Sequence, residues 1–377
     1  QDSNSIGDFY YEPPTDFLAL CTSNLPDPAV IPSEHFNTVT YTGTENASVH
    51  GAVTGVGFQP DMIWFKNRNF SYNNAIYDAL RGTNSYLVTN STGTEVNPPA
   101  GKDLTSFDSD GFSLGTSWGA ITCGKEGSTF RTYVAWNWKA GGTGVSNTNG
   151  SITSTVSANA DAGFSIVSYT GTGSLGTVGH GLASKPEMII VKNRDISSPW
   201  IVMHKGIASD YETDYIYLST TQAAGDYDLF WNDTQPTNAV FTIKGDDPNT
   251  STKAIIAYCF HSVEGYSKVG SYTGNGSADG TFVHCGFRPA YVMVKDTENS
   301  SWPWWIHDTA RNPINPSTKQ LSPNSSAAEY DDATYTALGI VSNGFKWRTS
   351  EAQVNANGET FIYIAFAENP FKYTNAR

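Results

Sequence analysis

The five-residue run Met188-Ile189-Ile190-Val191-Lys192 has counterparts at 62–66 and 291–295, and this threefold repetition decides the fold. Each copy is preceded by a Tyr-Thr-Gly triplet and by a proline, which follows the tyrosine by 19, 17 and 17 positions. A phenylalanine comes 71, 72 and 73 positions after the same tyrosine, and an aromatic-rich run closes each copy. Four landmarks in one order define three related units of about 100 residues.

Each unit is predicted to consist of short β-strands. The apolar run is too short for a buried helix and is typical of a strand that is covered on both faces. Its terminal lysine is interpreted as the point where the strand emerges into water. Asp110-Gly111 and Asn343-Gly344 are turn dipeptides placed directly before a further strand. These features predict an all-β protein with three tandem related β-sandwich domains of the jelly-roll or lectin-like kind.

The repeat also sets the predicted domain boundaries. An extended N-terminal arm, or the remnant of an upstream domain, covers 1–36, and the β-sandwich repeats cover 37–142, 143–263 and 264–377. We expect each repeat to have its own core. The Gly/Ser/Thr/Asn-rich stretch 141–150 predicts a flexible connection between the first two repeats. The short interval 261–269 predicts that the second repeat packs tightly on the third.

Composition and charge exclude several classes of protein. Of 377 residues, 15% are charged and 13% are aromatic, and 36 acidic against 22 basic residues give a formal charge of −14. No cluster of lysine and arginine is visible, which argues against a nucleic-acid partner. The longest apolar runs, 254–260 and 361–367, have strand length, so no membrane insertion is expected. The four cysteines are far apart and predict no metal site, and no other cofactor is expected.

No catalytic set stands out, and the sequence predicts a protein that is not an enzyme. Gly115-Thr116-Ser117-Trp118-Gly119 matches the nucleophile-elbow pattern, but the helical pattern that this chemistry needs does not follow the serine. Asp108-Ser109-Asp110-Gly111 resembles part of a calcium loop, yet the further oxygen ligands are missing and a turn explains it more simply. A glycosidase needs two opposed carboxylates, and no pair is prominent.

The aromatic cluster Trp302-Pro303-Trp304-Trp305 is the best candidate for a binding site. Tryptophan rings beside polar groups suit sugars, because a sugar ring has an apolar face and a polar rim. Asp308 and Arg311 are near enough in sequence to take part, and Trp200 occupies the place of Trp304 in the second unit. The alternative is that these tryptophans belong to the sandwich core. In a regular strand, Trp302 and Trp304 would share one face and Trp305 would lie on the other.

Longer phrases of the sequence resemble a known family. Tyr10-Tyr11-Glu12-Pro13-Pro14-Thr15 and the residues after it resemble the end of a SPRY/concanavalin-like domain in bacteriophage tail proteins. The segments 104–112, 133–142 and 263–276 are similar to the repeated, functionally uncharacterised domain that follows it in marine and metagenomic phages. The resemblance covers nearly the whole chain. It implies a virion appendage without catalytic residues, and because the upstream domain is missing here, we expect a processed or partial chain.

The residues and the resemblance together predict a non-enzymatic structural and adhesion protein, a tail fibre or spike that attaches the virion to its host. Its expected partners are other virion proteins, copies of itself (by analogy a trimer) and a host-surface glycan. The glycan would be bound by Trp302, Trp304, Trp305, Asp308, Arg311 and Trp200. Two alternatives stay open: a carbohydrate-active enzyme or lectin acting on surface polysaccharide, and a head-fibre or capsid-decoration protein. The expected location is the virion surface or the extracellular space.

Overall fold

The computed structural model describes residues 1–15, 17–19, 24, 30–119 and 121–368, without the side chain of Thr336. The first unit follows a 3₁₀ turn at Pro32–Glu34 and forms two facing sheets, β1-β10-β3-β4-β5 and β2-β7-β6, and a small β8-β9 hairpin. Its strands are β1 (Phe36–Thr42), β2 (Gly51–Thr54), β3 (Met62–Asn67), β4 (Ala75–Asp78), β5 (Gly82–Val88), β6 (Leu104–Asp108), β7 (Gly111–Leu114), β8 (Lys125–Glu126), β9 (Thr129–Phe130) and β10 (Thr132–Trp138).

The second unit has the same arrangement, with an added hairpin at one edge of the large sheet. The sheets are β11-β12-β13-β20-β15-β16-β17-β18 and β14-β19. The elements are β11 (Val145–Asn147), β12 (Ser154–Asn159), β13 (Phe164–Thr170), β14 (Gly176–Gly179), β15 (Met188–Asn193), β16 (Ile201–His204), β17 (Asp214–Tyr217), β18 (Gly225–Asp226), α1 (Asp228–Trp231), β19 (Val240–Ile243), a 3₁₀ turn (Asp247–Asn249) and β20 (Ala254–Phe260).

The third unit repeats the pair of sheets as β21-β29-β23-β24 and β22-β28-β27, with a small β25-β26 ladder beside them. The elements are β21 (Ser267–Thr273), β22 (Phe282–His284), β23 (Pro289–Asp296), β24 (Trp305–Asp308), β25 (Lys319–Gln320), β26 (Tyr330–Asp331), α2 (Ala333–Thr336), β27 (Leu338–Val341), β28 (Gly344–Trp347), α3 (Ala352–Asn355) and β29 (Thr360–Ala367).

The predicted all-β fold is therefore confirmed, and the three units share one pattern of strand pairing. In each unit the apolar run pairs antiparallel with the closing aromatic run, which pairs in turn with the Tyr-Thr-Gly strand. The Asp110-Gly111 and Asn343-Gly344 turns connect β6 to β7 and β27 to β28, as predicted. None of the helices in the described residues has the length and apolarity that a membrane crossing requires.

The large sheets of the three units pack against one another around a common apolar core. Along β15, Ile189 and Val191 face the core of their own sandwich, whereas Met188 and Ile190 face the shared core. The alternation is the same along β3 and β23. The apolar runs are therefore buried on both faces, as the sequence predicts, and the second cover comes from the neighbouring units. Each unit has its own core and contributes to a fourth one.

The lysine at the end of each apolar run corrects the sequence interpretation. Lys66, Lys192 and Lys295 are at most 1% exposed, so these strands do not end in water. A loop of the neighbouring unit covers the first two, because Lys66 Nζ donates to the Ser326 carbonyl (3.0 Å) and Lys192 Nζ to the Thr92 carbonyl (3.2 Å). Burial lowers the pKa of Lys66 to about 7 and of Lys192 to about 8, since a charged amine is poorly solvated there.

Hydrogen bonds between the units form a closed cycle. Trp136 Nε1 of the first unit donates to Asp308 Oδ2 of the third (2.9 Å), and the Tyr258 hydroxyl of the second donates to Asp78 Oδ2 of the first (2.7 Å). His204 Nε2 of the second unit lies 3.1 Å from the Tyr363 carbonyl oxygen of the third. His204, Asp78 and Asp308 occupy equivalent places in the three units, so each unit contacts the other two in the same sense around the shared core.

The joint between the first two units also differs from the expected flexible connection. The Asp61 carboxylate accepts hydrogen bonds from the backbone N–H groups of Ala140 (2.8 Å) and Gly142 (3.2 Å), and β11 then pairs with β12. A Cβ on Gly141 would lie 2.5 Å from the Ala158 carbonyl oxygen, so glycine permits a close approach there. The glycines of this stretch serve close packing, which composition alone does not distinguish from flexibility.

Candidate functional site

Two of the predicted site tryptophans are core residues. Trp200 and Trp304 are at most 1% exposed and belong to the shared core. Their indole N–H groups donate to backbone carbonyls of the preceding unit, Trp200 to Val88 and Trp304 to Tyr217, each at 2.9 Å. For both residues the core alternative holds, because their polar atom and their rings have internal partners.

Asp308 and Arg311 also lie inside the protein. Arg311 Nε donates to Asp308 Oδ2 at 2.5 Å, and its Nη1 donates to Glu329 Oε2 at 3.0 Å. Both side chains are fully buried in this ion pair. Together with the bond from Trp136, the pair ties the third unit to the first. Contact with a ligand at the protein surface is therefore not open to these two residues.

Trp302 and Trp305 are placed differently, because both line a surface cleft of about 580 Å³ in the third unit. The strand β24 begins only at Trp305. Pro303 has no N–H for a strand ladder, and the regular alternation assumed for residues 302–305 is therefore lost. As a result Trp302 and Trp305 share the cleft while Trp304 faces the core, which corrects the predicted pairing of Trp302 with Trp304.

Most of the other lining residues come from the segment 320–353. Tyr330 on β26 and Tyr335 on α2 are 47% and 42% exposed and line it. The start of α2 is fixed by Asp332, whose carboxylate accepts from Thr334 N (2.7 Å); this bond lowers the pKa of Asp332. Further lining residues are Pro303, Leu321, Ala327 and Ala328, with the polar residues Gln320, Ser322, Asn324, Ser325, Glu351, Gln353 and Thr221.

The cleft offers aromatic surface and neutral polar groups. Among the described residues that line it, Glu351 is the one carboxylate, and no lysine, arginine or histidine is present. Such a lining binds an uncharged ligand that has both apolar and hydrogen-bonding surface. The pair of opposed carboxylates that glycoside hydrolysis uses is not found in this set.

Other candidates from the sequence have structural partners. The Ser117 hydroxyl of the elbow-like motif donates to the Cys123 carbonyl oxygen (2.8 Å). Asp110 accepts from the backbone N–H groups of Gly55 and Gly57, as a turn residue does. Cys123, Cys259 and Cys285 are buried free thiols; Cys21 lies outside the described residues. In the part of the chain that the structure describes, no group of three or more His, Cys, Asp or Glu could hold a metal ion.

Sequence reasoning missed most of the cleft. Gln320, Tyr330, Tyr335 and Gln353 are 15 to 48 positions from Trp305, and they lie on two-residue strands or single-turn helices. Elements this short have no periodicity that a sequence could display. The aromatic cluster 302–305 predicted a binding site where the cleft lies, but it did not identify the lining residues that come later in the chain.

One known protein family matches most of the chain. A family model described as "Domain of unknown function (DUF7483)" matches residues 31–370. The chain belongs to this family. One DUF7483 match runs through all three units, in keeping with a core that the three large sheets share. The comparison with curated proteins found no match. The description of DUF7483 states no activity, so the function must be argued from the chain's own residues.

Proposed function

We propose that this DUF7483 chain is a non-enzymatic structural and adhesion protein of a virion, part of a tail fibre or spike, that binds a host-surface glycan. The observation that carries the proposal is the cleft that Trp302, Trp305, Tyr330 and Tyr335 line together. Aromatic rings cover the apolar face of a sugar, and the amide and hydroxyl groups around them suit its hydroxyls. The virion setting rests on the resemblance of the repeats to phage tail proteins.

The packing of the three units supports a structural role. Several ion pairs join neighbouring units, for example Arg194 with Glu95 (2.7 Å) and Arg68 with Glu329 (2.9 Å). Two bidentate pairs of this kind hold neighbouring units in one orientation. A body fixed in this way presents its surface cleft rigidly, which reduces the entropy lost when a ligand binds.

The alternative of a carbohydrate-active enzyme has weaker support at this cleft. Glu351 could serve as one carboxyl group, but hydrolysis by the common mechanisms needs a second one within about 5–10 Å. The release of reducing ends from host capsule by the purified protein would favour the enzyme. Binding without release favours adhesion. The head-fibre or capsid-decoration alternative shares the same chemistry and differs only in the position of the chain on the particle.

Replacing Trp305 or Trp302 with alanine is expected to weaken glycan binding at least tenfold and to leave the fold intact. A central aromatic side chain commonly contributes about 2 kcal/mol or more to a binding site. The measurement is affinity electrophoresis in gels that contain dextran, mannan or a β-glucan, with circular dichroism to check the fold. Phe282→Ala is the matched control, because Phe282 is a 46% exposed aromatic residue outside the cleft. Unchanged binding in both tryptophan variants would contradict the proposal.

A further inference from the structure

Polar atoms without a partner gather at the aromatic cleft. Gln320 lines it and is 1% exposed, yet neither Oε1 nor Nε2 of its amide has a hydrogen-bond partner among the described residues. The indole Nε1 atoms of Trp302 and Trp305 also lack a partner within the described part of the protein. Buried polar groups in folded proteins are usually hydrogen-bonded. The described residues hold other unpaired atoms, such as Trp231 Nε1, but these four lie on residues that line one cleft.

The contrast with Gln353 shows that the fold is able to pair an amide here. Gln353 lines the same cleft and is 8% exposed, and its Nε2 donates to the Tyr335 carbonyl oxygen (3.4 Å). Gln320 is held on β25 opposite Tyr330 of β26, so its backbone position is fixed by a strand pair. An apolar residue at this position would avoid the cost of the unpaired amide. The unpaired amide of Gln320 is therefore a group whose hydrogen bonds a ligand in the cleft can satisfy.

We propose that the Gln320 side chain, whose amide is covered in this structure, turns towards the cleft and binds a vicinal diol of a neutral pyranose, an inference that rests on the proposed function. A primary amide presents one acceptor and one donor side by side in a plane. Two neighbouring hydroxyls of a sugar ring match this pair: one donates to Oε1 while the other accepts from Nε2. A secondary amide such as an acetamido group has its N–H and its carbonyl on opposite sides, and so it cannot form both bonds with one side chain.

The charge of the site selects against acidic sugars. Glu351 lines the cleft, no basic side chain is found among the described lining residues, and the chain carries a formal charge of −14. A uronic acid or a sulfated sugar would bring a second negative charge next to this carboxylate without a compensating cation. The ligand class is therefore a neutral hexose with at least two adjacent free hydroxyls, stacked against Trp302 and Trp305.

The test uses the full chain and the methyl glycosides of glucose, mannose and galactose, titrated by tryptophan fluorescence and ligand-observed NMR. The 3-deoxy analogue of the best ligand lacks both vicinal pairs of the C2–C4 triol. It is expected to bind at least tenfold more weakly than its parent. Gln320→Met keeps the length of the side chain and removes both hydrogen-bonding atoms. Its affinity for the parent sugar should therefore fall at least tenfold, and its affinities for the parent and the 3-deoxy analogue should differ less than twofold. Gln353→Met is the matched control and should keep the discrimination.

The outcomes separate this inference from the proposed function. If none of the glycosides or polymers binds the wild-type chain, the proposed glycan-binding function and the diol inference are both contradicted. If binding depends on Trp305 but the wild-type chain does not distinguish the parent from its 3-deoxy analogue, the diol inference is overturned and the glycan site stands. The wild-type comparison needs no variant, so the test holds even if Gln320→Met misfolds. Gln320→Glu, which keeps the shape and loses the donor, should show an intermediate loss. Stronger binding of methyl glucuronide than of methyl glucoside would overturn the choice of a neutral sugar.

Discussion

Residues 264–377 expressed alone will not form a folded monomer, although they contain a complete sandwich with two sheets and its own core. The reason is the outer face of the sheet β21-β29-β23-β24. Met293, Ile362, Ile364 and Phe366 are at most 4% exposed in the whole chain, and they bury this face against the other two units. Each such side chain contributes about 1.5–3 kcal/mol by its burial. Losing several of them removes most of the 5–15 kcal/mol that usually stabilises a domain.

The measurement is light scattering together with the dispersion of the amide NMR spectrum. We expect aggregates or an unfolded chain for the isolated third unit. A triple variant, Met293→Thr, Ile362→Thr and Ile364→Thr, should make the isolated unit more soluble, because these residues meet solvent once the other units are gone. The matched inner-face variant, Val292→Thr, Val294→Thr and Phe361→Thr, should not, because it disrupts the unit's own core. A monodisperse, cooperatively melting native unit would contradict the importance of the shared core.

The sequence predicted this fold to the extent that local patterns specify it. The run 188–192 indicates a strand covered on both faces, and the structure confirms that burial. Nothing in the run shows that one cover comes from another unit, because Ile189 and Ile190 have the same chemistry and face different cores. Lys192 illustrates the limit. A charged residue at a strand end ordinarily marks solvent, but Lys192 Nζ donates to the following loop of its own unit and to the Thr92 carbonyl, 100 residues earlier.

The candidate site, too, could be predicted from the sequence only in part. A cluster of tryptophans indicates either a core or a binding surface, and the structure contains both, with Trp304 inside and Trp302 and Trp305 at the cleft. Pro303 determines that split, since it delays the start of β24 and changes which side chains share a face. Asp308 and Arg311 have the residue types of a sugar site and act as an internal ion pair. No sequence motif singles out Gln320, and only the structure shows that its amide has no hydrogen-bond partner among the described residues.

Acidification from pH 6.5 to pH 4 is expected to destabilise the protein strongly, because three histidines are buried in the neutral form. Burial lowers the pKa of His180 and His204 to about 4 and that of His307 to about 3. The folded state therefore binds protons less readily than the unfolded chain, whose histidines titrate near pH 6.5. The contribution of these residues to stability is complete above pH 6.5 and is lost as the pH falls towards the folded pKa values. The loss is on the order of 3 kcal/mol for each histidine.

The surroundings of His204 explain why its charged form is disfavoured. Its Nε2 lies 3.1 Å from the Tyr363 carbonyl and its Nδ1 accepts from Gly206 N (3.0 Å), which fixes the neutral tautomer. Protonation of Nδ1 would turn the acceptor of the Gly206 N–H into a second donor, and this hydrogen bond would be lost. Burial has the largest effect and Lys205 adds to it, whereas the Tyr363 carbonyl and, to a smaller degree, Glu187 favour the charged form. Since His204 lies between the second and third units, its protonation should separate them rather than unfold one loop.

Carboxyl groups whose pKa is raised by burial act in the opposite direction, and Asp103 and Glu359 have the largest of these shifts. Burial raises the pKa of Asp103 to about 6 and that of Glu359 to about 7, so both gain protons in the folded state as the pH falls, and stability rises with that uptake. The three histidines, together with Glu187 and Glu329, whose pKa values their Lys and Arg partners lower, outweigh them, and the net slope remains a loss of stability on acidification. Asp103→Asn removes one opposing contribution, so it should stabilise the protein at pH 7.5 and steepen the loss below pH 6.

The measurement is urea unfolding at pH 7.5, 6.0, 5.0 and 4.5, followed by tryptophan fluorescence. His204→Gln keeps a donor for the Tyr363 carbonyl and cannot take up a proton, so it should flatten the pH dependence by about a third. His284→Gln, at an exposed position on β22, is the matched control and should leave the slope unchanged. A wild-type free energy of unfolding that stays constant between pH 6.5 and 4.5, or a His204→Gln slope equal to that of the wild type, would show that the buried histidines do not govern the acid response.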